Sequence, residues 1–307
     1  MIYYSIIIPH KNMSGLLQYC LDSIPLREDV QVIVVDDNSD AEIVDFEHFP
    51  QWKGTHYEYY LTKEGKGAGY ARNVGLEHAE GRWVLIAGAD DFFLPAFGAI
   101  MDEERETDVD LIFFRPKAVL LEDRISQSKR ADVYNRFIDD YLHSSDDGRI
   151  RCRWLSDVSK FYRLQMIRDH QIRFDEIRYS NDNLFSVKAG VSARKIAVRE
   201  KAFYCITESE GTLTSHFLKK PGEFQIRGDA FFRAQEIVHD AGYPIDEETA
   251  LFFLRELFSR DRNAFGMGFK RMRKMGYEKC WLLREVFKNH SRKAFYKRFL
   301  YGLVALP

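Results

Sequence analysis

The sequence predicts an α/β fold: a doubly wound, mostly parallel sheet with flanking helices, followed by a helical C-terminal extension. Three observations predict it. Short β-branched or apolar runs recur at residues 3–8, 30–35 and 83–87, and strands apolar on both faces belong in sheets covered by helices on each side. Between the first two runs lies helical apolar spacing at Leu16, Leu17, Cys20, Leu21 and Ile24, which gives the β-loop-α-β order of a crossover unit. Each run also stops abruptly in polar residues, and open parallel sheets bind ligands outside the carboxyl ends of their strands.

Taken in order, the first run halts at Pro9, and His10-Lys11-Asn12 form the loop before the helix, which Pro25 ends. The strand at 30–35 closes on Asp36-Asp37-Asn38-Ser39, residues 40–49 are expected to be helical, and 57–61 form a third strand. The glycine-rich, basic loop 63–69 (KEGKGAG) then feeds a helix over 70–79. Glycines let backbone approach a phosphate, and Lys66 and Arg72 place charge near a helix start. The run at 83–87 ends at Gly88-Ala89, and Asp90 and Asp91 follow at once. Adjacent carboxylates at a strand end repel, so a cation between them is expected. Hard oxygen ligands favour Mg²⁺ or Mn²⁺, which usually also hold a substrate phosphate.

Residues 109–121 read as two strand pieces around Pro116, and 123–148 as a polar, irregular, mobile segment with short helical runs. Residues 154–167 form a strand-to-helix unit. Asp182 then opens a helix-like run over 183–189, where by residue type alone it reads as a cap; Asp175 and Glu176 are competing acids nearby. Ile196-Ala197-Val198 reads as an edge strand. From 219 onward the pattern turns helical, at 223–241, 246–265 and 278–289, so the expected division is an α/β domain at 1–218 and a basic, aromatic helical region at 219–307.

At 307 residues, 45% hydrophobic and 30% charged, the composition is that of a soluble globular protein. A net charge of −2 provides no global field for nucleic acid. Charge is uneven, however: residues 269–298 carry eleven Lys and Arg against two Glu. The basic, aromatic stretch at 291–306 suits either a peripheral contact with an anionic bilayer or packing on the α/β domain or a homodimer partner. No nucleic-acid-binding motif accompanies it. Cys20, Cys152, Cys205 and Cys280 are scattered without metal spacing, as expected of reduced thiols in the cytoplasm, possibilities that include its membrane face. No signal peptide or membrane-spanning run is expected.

The segments IIIPHKN (6–12), VIVVDDNS (32–39), GAGYARNVGL (67–76) and GRWVLIAGADDF (81–92) resemble, in order and spacing, family 2 glycosyltransferases of the GT-A fold. The likeness is strong over the first third of the chain and looser to about residue 215. It implies a metal-dependent, inverting transfer from a nucleotide-diphosphate donor, a UDP-sugar foremost, to a glycan or lipid-linked acceptor hydroxyl. Surface polysaccharide such as capsule or lipopolysaccharide is the implied product. By the same resemblance Pro9, Lys11, Asn12, Asp36, Asp37, Lys66, Arg72 and Asp90 bind the nucleotide sugar. Asp90 and Asp91 hold Mg²⁺ or Mn²⁺, His216 is a further metal candidate or else a surface histidine, and Asp182 is the general base. Three departures stand out: Lys11 replaces a frequent aromatic, Gly88 the first acid of the Asp-x-Asp-Asp corner, and Asn181 the Glu preceding the base. The alternatives are a sugar-phosphate nucleotidyltransferase, which the lack of glycine before Gly15 disfavours, and a non-catalytic nucleotide-sugar-binding relative.

Overall fold

The computed structural model describes residues 1–209 and 222–288, which fall into two compact units divided between His216 and Phe217. In the first unit the chain runs β1 (Tyr4–His10), α1 (Ser14–Asp22), β2 (Val30–Asp37), β3 (His56–Thr62), α2 (Ala68–His78), β4 (Trp83–Ile86), β5 (Phe92–Phe93) and α3 (Phe97–Glu104). It continues through β6 (Leu111–Phe114), β7 (Lys117–Leu120), α4 (Asp132–Ser144), α5 (Gly148–Arg153), β8 (Lys160–Arg163), α6 (Leu164–Asp169), α7 (Asn183–Ser192), β9 (Ile196–Arg199) and β10 (Tyr204–Glu208). Seven strands form one sheet in the order β3-β2-β1-β4-β8-β6-β9, in which only β8 pairs antiparallel with its neighbours. Three further strands pair as a small sheet, β5-β10-β7, which shares a buried cluster with the large one.

Period-two alternation explains why both faces are covered. Ile6, Ile8, Val32 and Val34 enter one buried cluster, and Ile7, Ile33 and Val35 enter another. Burying each such side chain contributes about 1.5–3 kcal/mol, so a register slip of one residue would exchange the two clusters wholesale.

Strand β1 extends through Pro9 and His10, which the sequence assigns to the stop and the loop. The backbone geometry explains the extension. The Ile7 carbonyl accepts from Ala87, so that edge of β1 faces β4, which ends opposite Ile7. The missing N–H of Pro9 therefore falls where no ladder bond is due, while Pro9 still pairs with Val35 on the other side.

Two further expected elements differ here. Residues 40–49 form turns instead of a helix, because the Asp40 side chain accepts the Glu42 N–H and Asp45 those of Glu47 and His48. Such local bonds compete with the helical ladder. Residues 123–148 contain the regular helix α4, with Phe137 and Ile138 buried. Its Tyr134, Phe137, Ile138 and Tyr141 recur at helical spacing.

The second unit comprises α8 (Glu223–Asp240), α9 (Glu247–Arg260), α10 (Arg262–Lys274) and α11 (Lys279–Phe287), around an aromatic core that includes Phe231 stacked on Phe253. The single helix expected over 246–265 is broken at Asp261, whose extended backbone (φ −152°) lets its carboxylate cap the Ala264 N–H at 2.9 Å. The basic, aromatic stretch at 291–306 lies outside the described residues.

Candidate active site

The carboxyl ends of β1, β2 and β4 open on one rim of the sheet, and the start of α2 closes it. Asp37, at the end of β2, accepts the Gly67 N–H with both oxygens (3.0 and 2.9 Å), and Lys11 Nζ stands 3.6 Å from the same carboxylate. Gly67 precedes α2 at φ +97°, a conformation for which glycine carries no Cβ penalty. Two residues on, Gly69 lies so close to the loop before α7 that an added Cβ would sit 1.9 Å from the Asp175 carbonyl oxygen. One further turn brings Arg72, whose Nη1 donates to Asn181 Oδ1 at 2.7 Å. A turn and a half of α2 thus touches the Asp37 loop on one side and the Asp182 loop on the other.

Asp36 is fully buried. Burial alone would raise its pKa, but hydrogen bonds from His10 and Ser39 outweigh that and hold it below the usual carboxylate range. His10 Nδ1 lies 2.6 Å from Asp36, and His10 Nε2 accepts the Met13 N–H at 3.1 Å. An accepting Nε2 requires the neutral imidazole with its proton on Nδ1. Asp36 therefore braces the two loops from beneath. Asn12, exposed and in the left-handed region at φ +56°, stitches them from above through Ser39 and Asp40. Lys66 is also exposed and lies over the Tyr70 ring.

At the end of β4 the two acids have different surroundings. Asp91 is turned inward, where the Tyr204 hydroxyl donates to Oδ2 and the Thr207 N–H to Oδ1, each at 2.7 Å. Burial and the neighbouring Asp90 charge raise its carboxyl to about 8. Through these two bonds Asp91, expected as a cation ligand, ties the β4 corner to β10. Asp90 stays at the rim, its pKa raised by burial and opposed by the charges of Arg130 and Arg72. A Cβ on Gly88 would come within 2.7 Å of Asp90 Oδ1 and 2.9 Å of Asp91 Oδ2. The glycine at this corner thus leaves room for both carboxylates.

Asp182 is half-buried at the start of α7, and burial followed by the Asp157 charge raises its carboxyl to about 6, against the charges of Arg72 and Lys160. Arg72 Nε pairs with Asp157 Oδ2 at 2.9 Å. Its guanidinium is committed to Asp157 and Asn181, rather than open toward a phosphate with all its N–H groups. Asp157, Lys160, Arg130 and Tyr204 are the site residues that the sequence reading missed; the spacing between them carries no periodic or motif signal. Among the described residues no group of three or more His, Cys, Asp or Glu is gathered to hold a metal. His216 lies outside the described residues.

Comparison with known proteins fits this geometry. The chain matches the family model described as glycosyl transferase family 2 over residues 5–164. It is 28% identical over 235 residues to the poly(ribitol-phosphate) β-N-acetylglucosaminyltransferase TarS of Staphylococcus aureus, covering 73% of this chain and 39% of that protein. It is 23% identical to a poly(ribitol-phosphate) β-glucosyltransferase of Bacillus spizizenii, covering 72% of this chain and 34% of that protein. The chain thus spans well under half the length of these curated relatives. The crystal structure of S. aureus TarS 1–349 in complex with UDP-GlcNAc superposes with a TM-score of 0.60 at 23% identity, covering 88% of this chain and 81% of that one. That likeness shows a shared fold: a mixed, mostly parallel sheet with flanking helices. With the family model spanning more than half of its length, the chain belongs to glycosyl transferase family 2.

Proposed function

We propose that the chain moves a sugar from a nucleoside diphosphate donor, a UDP-sugar foremost, to a hydroxyl of a surface glycan, polyol-phosphate polymer or lipid-linked acceptor, with inversion at the anomeric carbon. The observation that carries this reading is that α2 ties the Asp37 loop, through Gly67, to the loop before Asp182, through Arg72 and Asn181, and burial there raises the Asp182 carboxyl to about 6. Such an acid is ionised at neutral pH yet basic enough to accept a proton. In the single step, the acceptor hydroxyl gives its proton to Asp182 as its oxygen bonds the anomeric carbon, and the bond to the diphosphate oxygen breaks. A single displacement requires no second carboxylate as nucleophile.

The donor's nucleoside end lies against Pro9, Lys11, Asn12 and Asp37, with Lys66 beside the diphosphate. Asp36 supports these loops without touching ligand. A divalent cation would be held at this corner by Asp90, whose Oδ1 packs over Gly88, since Mg²⁺ characteristically takes one or two carboxylates plus substrate phosphates and water. When bound, Mg²⁺ or Mn²⁺ neutralises the leaving diphosphate. The UDP-GlcNAc complex of the structural relative and the ribitol-phosphate acceptors in the relatives' names support the donor and acceptor classes. No described helix is long and apolar enough to cross a membrane. The four free cysteines suit a reducing compartment, and we place the enzyme in the cytoplasm.

Incubation with UDP-GlcNAc, Mn²⁺ and a ribitol-phosphate acceptor is expected to release UDP and form product. Pyrophosphate formation from UTP and a sugar phosphate, without transfer, would replace this reading with a nucleotidyltransferase. The base must be deprotonated, so kcat is expected to climb about tenfold per pH unit below about 6 and to level off above it. A flat profile from pH 4.5 to 7 counts against Asp182. Asp37→Ala removes both acceptors of the Gly67 N–H. Hydrogen bonds to charged groups contribute about 1.5–3 kcal/mol, so the donor KM is expected to rise about 10- to 100-fold, with kcat less affected. Unchanged UDP affinity by calorimetry would remove Asp37 from the donor site.

A further inference from the structure

Lys160 is 1% exposed, in the middle of the large sheet and among the rings of Trp154 and Phe113. A lysine here is costly unless its charge has a task. Its Nζ donates to the Trp154 carbonyl (3.0 Å) and the Ser156 carbonyl (2.7 Å), and the Tyr162 hydroxyl donates to the Asp157 carbonyl (3.0 Å). The loop 154–159 is therefore pinned from inside by two side chains of β8. The carboxylate it presents is Asp157, 2% exposed, which meets Arg72 Nε at 2.9 Å. Arg72 in turn donates to Asn181, the residue before Asp182.

We propose that Lys160 and Asp157, both buried, are positioning residues that fix Arg72 and set the charge balance around Asp182. This rests on the reading of Asp182 as the base. Lys160 and Asp157 belong to β8 and the loop before it, Arg72 to α2, and Tyr134 to α4. Asp157, Arg72 and Lys160 act on the Asp182 charge, and Tyr134 and Tyr162 of β8 feel it in turn. Two cations thus face two carboxylates. Asn181 matters in this balance, because the family's Glu at this position would leave an excess negative charge beside the base. Burial lowers Lys160 to about 7, against Asp157 and Asp182, so its charge is present while Asp182 titrates near pH 6.

The test is the titration of Asp182 itself, followed through ¹³C-labelled aspartate carboxyls in the full chain, with D182N identifying the resonance. Asp157→Asn removes a neighbouring negative charge and is expected to lower the Asp182 midpoint by about one unit, a tenfold change in proton affinity. Lys160→Met removes a neighbouring positive charge and is expected to raise it by a similar amount. In kinetics, kcat of each falls about tenfold or more while UDP affinity stays within about twofold, and the acid limbs of the two pH profiles move in opposite directions. A merely structural role would weaken both variants without opposite shifts. Midpoints that stay put, or move the same way, overturn the proposal. Should Lys160→Met not fold, Asp157→Asn decides alone, with an unchanged or raised midpoint as the overturning result. Wild-type turnover in D182N would sink the base assignment instead, and the carboxyl titration separates the two failures.

Discussion

Asp182→Asn is expected to lower kcat by about 10²- to 10⁴-fold, the range for losing a positioned general base, while UDP-sugar affinity stays near that of the wild type. The amide keeps the shape of the side chain and cannot accept the acceptor's proton. Arg72 hydrogen-bonds Asn181 and forms an ion pair with Asp157, not Asp182, in the described contacts, so the substitution leaves that clamp standing. The pH dependence below about 6 is expected to vanish with the activity, since the carboxyl responsible is gone. Single-turnover transfer and UDP calorimetry on the same preparation check both halves. Turnover within threefold of wild type would assign the proton to another acceptor, with Asp175 and Glu176 the nearest candidates in sequence.

Gly69→Ala is expected to damage both folding and catalysis, by one cause. Its Cβ would stand 1.9 Å from the Asp175 carbonyl oxygen and 3.1 Å from Asn181 Cβ. Backbone cannot swing aside as a flexible side chain does, so α2 and the 175–181 loop must separate. Overpacking of this kind costs about 1–3 kcal/mol, and more where backbone is struck. Displacement of Arg72 from Asn181 then lowers kcat about tenfold or more beyond the stability loss. Gly15→Ala is the matched control: it too is helical, but nothing lies within 4 Å of its added Cβ, and alanine is the better helix former by about 1 kcal/mol. Thermal unfolding is expected to fall for Gly69→Ala and to hold or rise for Gly15→Ala. Equal effects would mean that the close approach of α2 is not what the glycine permits.

Legibility in the sequence followed the range of the interactions. The strands of β1, β2 and β4 were readable because alternation and apolar runs act between near neighbours, and the Asp36-Asp37 and Asp90-Asp91 corners were readable because they end those runs. Helix α4 was also written in its spacing, yet its polar surroundings masked it. The turns at 40–49 show the opposite error: apolar residues recur there, but Asp40 and Asp45 bond their own backbone and stop the ladder.

By itself, the sequence determined the α/β class, the order of the rim loops and the acids that end the strands, because each depends on a few consecutive residues. Only the tertiary structure decided what each acid contacts. Asp90 and Asp91 are adjacent, yet one faces the rim and the other meets Tyr204, 113 residues away. Arg72 meets Asp157 and Asn181, the latter 109 residues away. The strength of a charge depends on its burial and on the opposite charges packed beside it, and both are fixed only when distant segments close around the site.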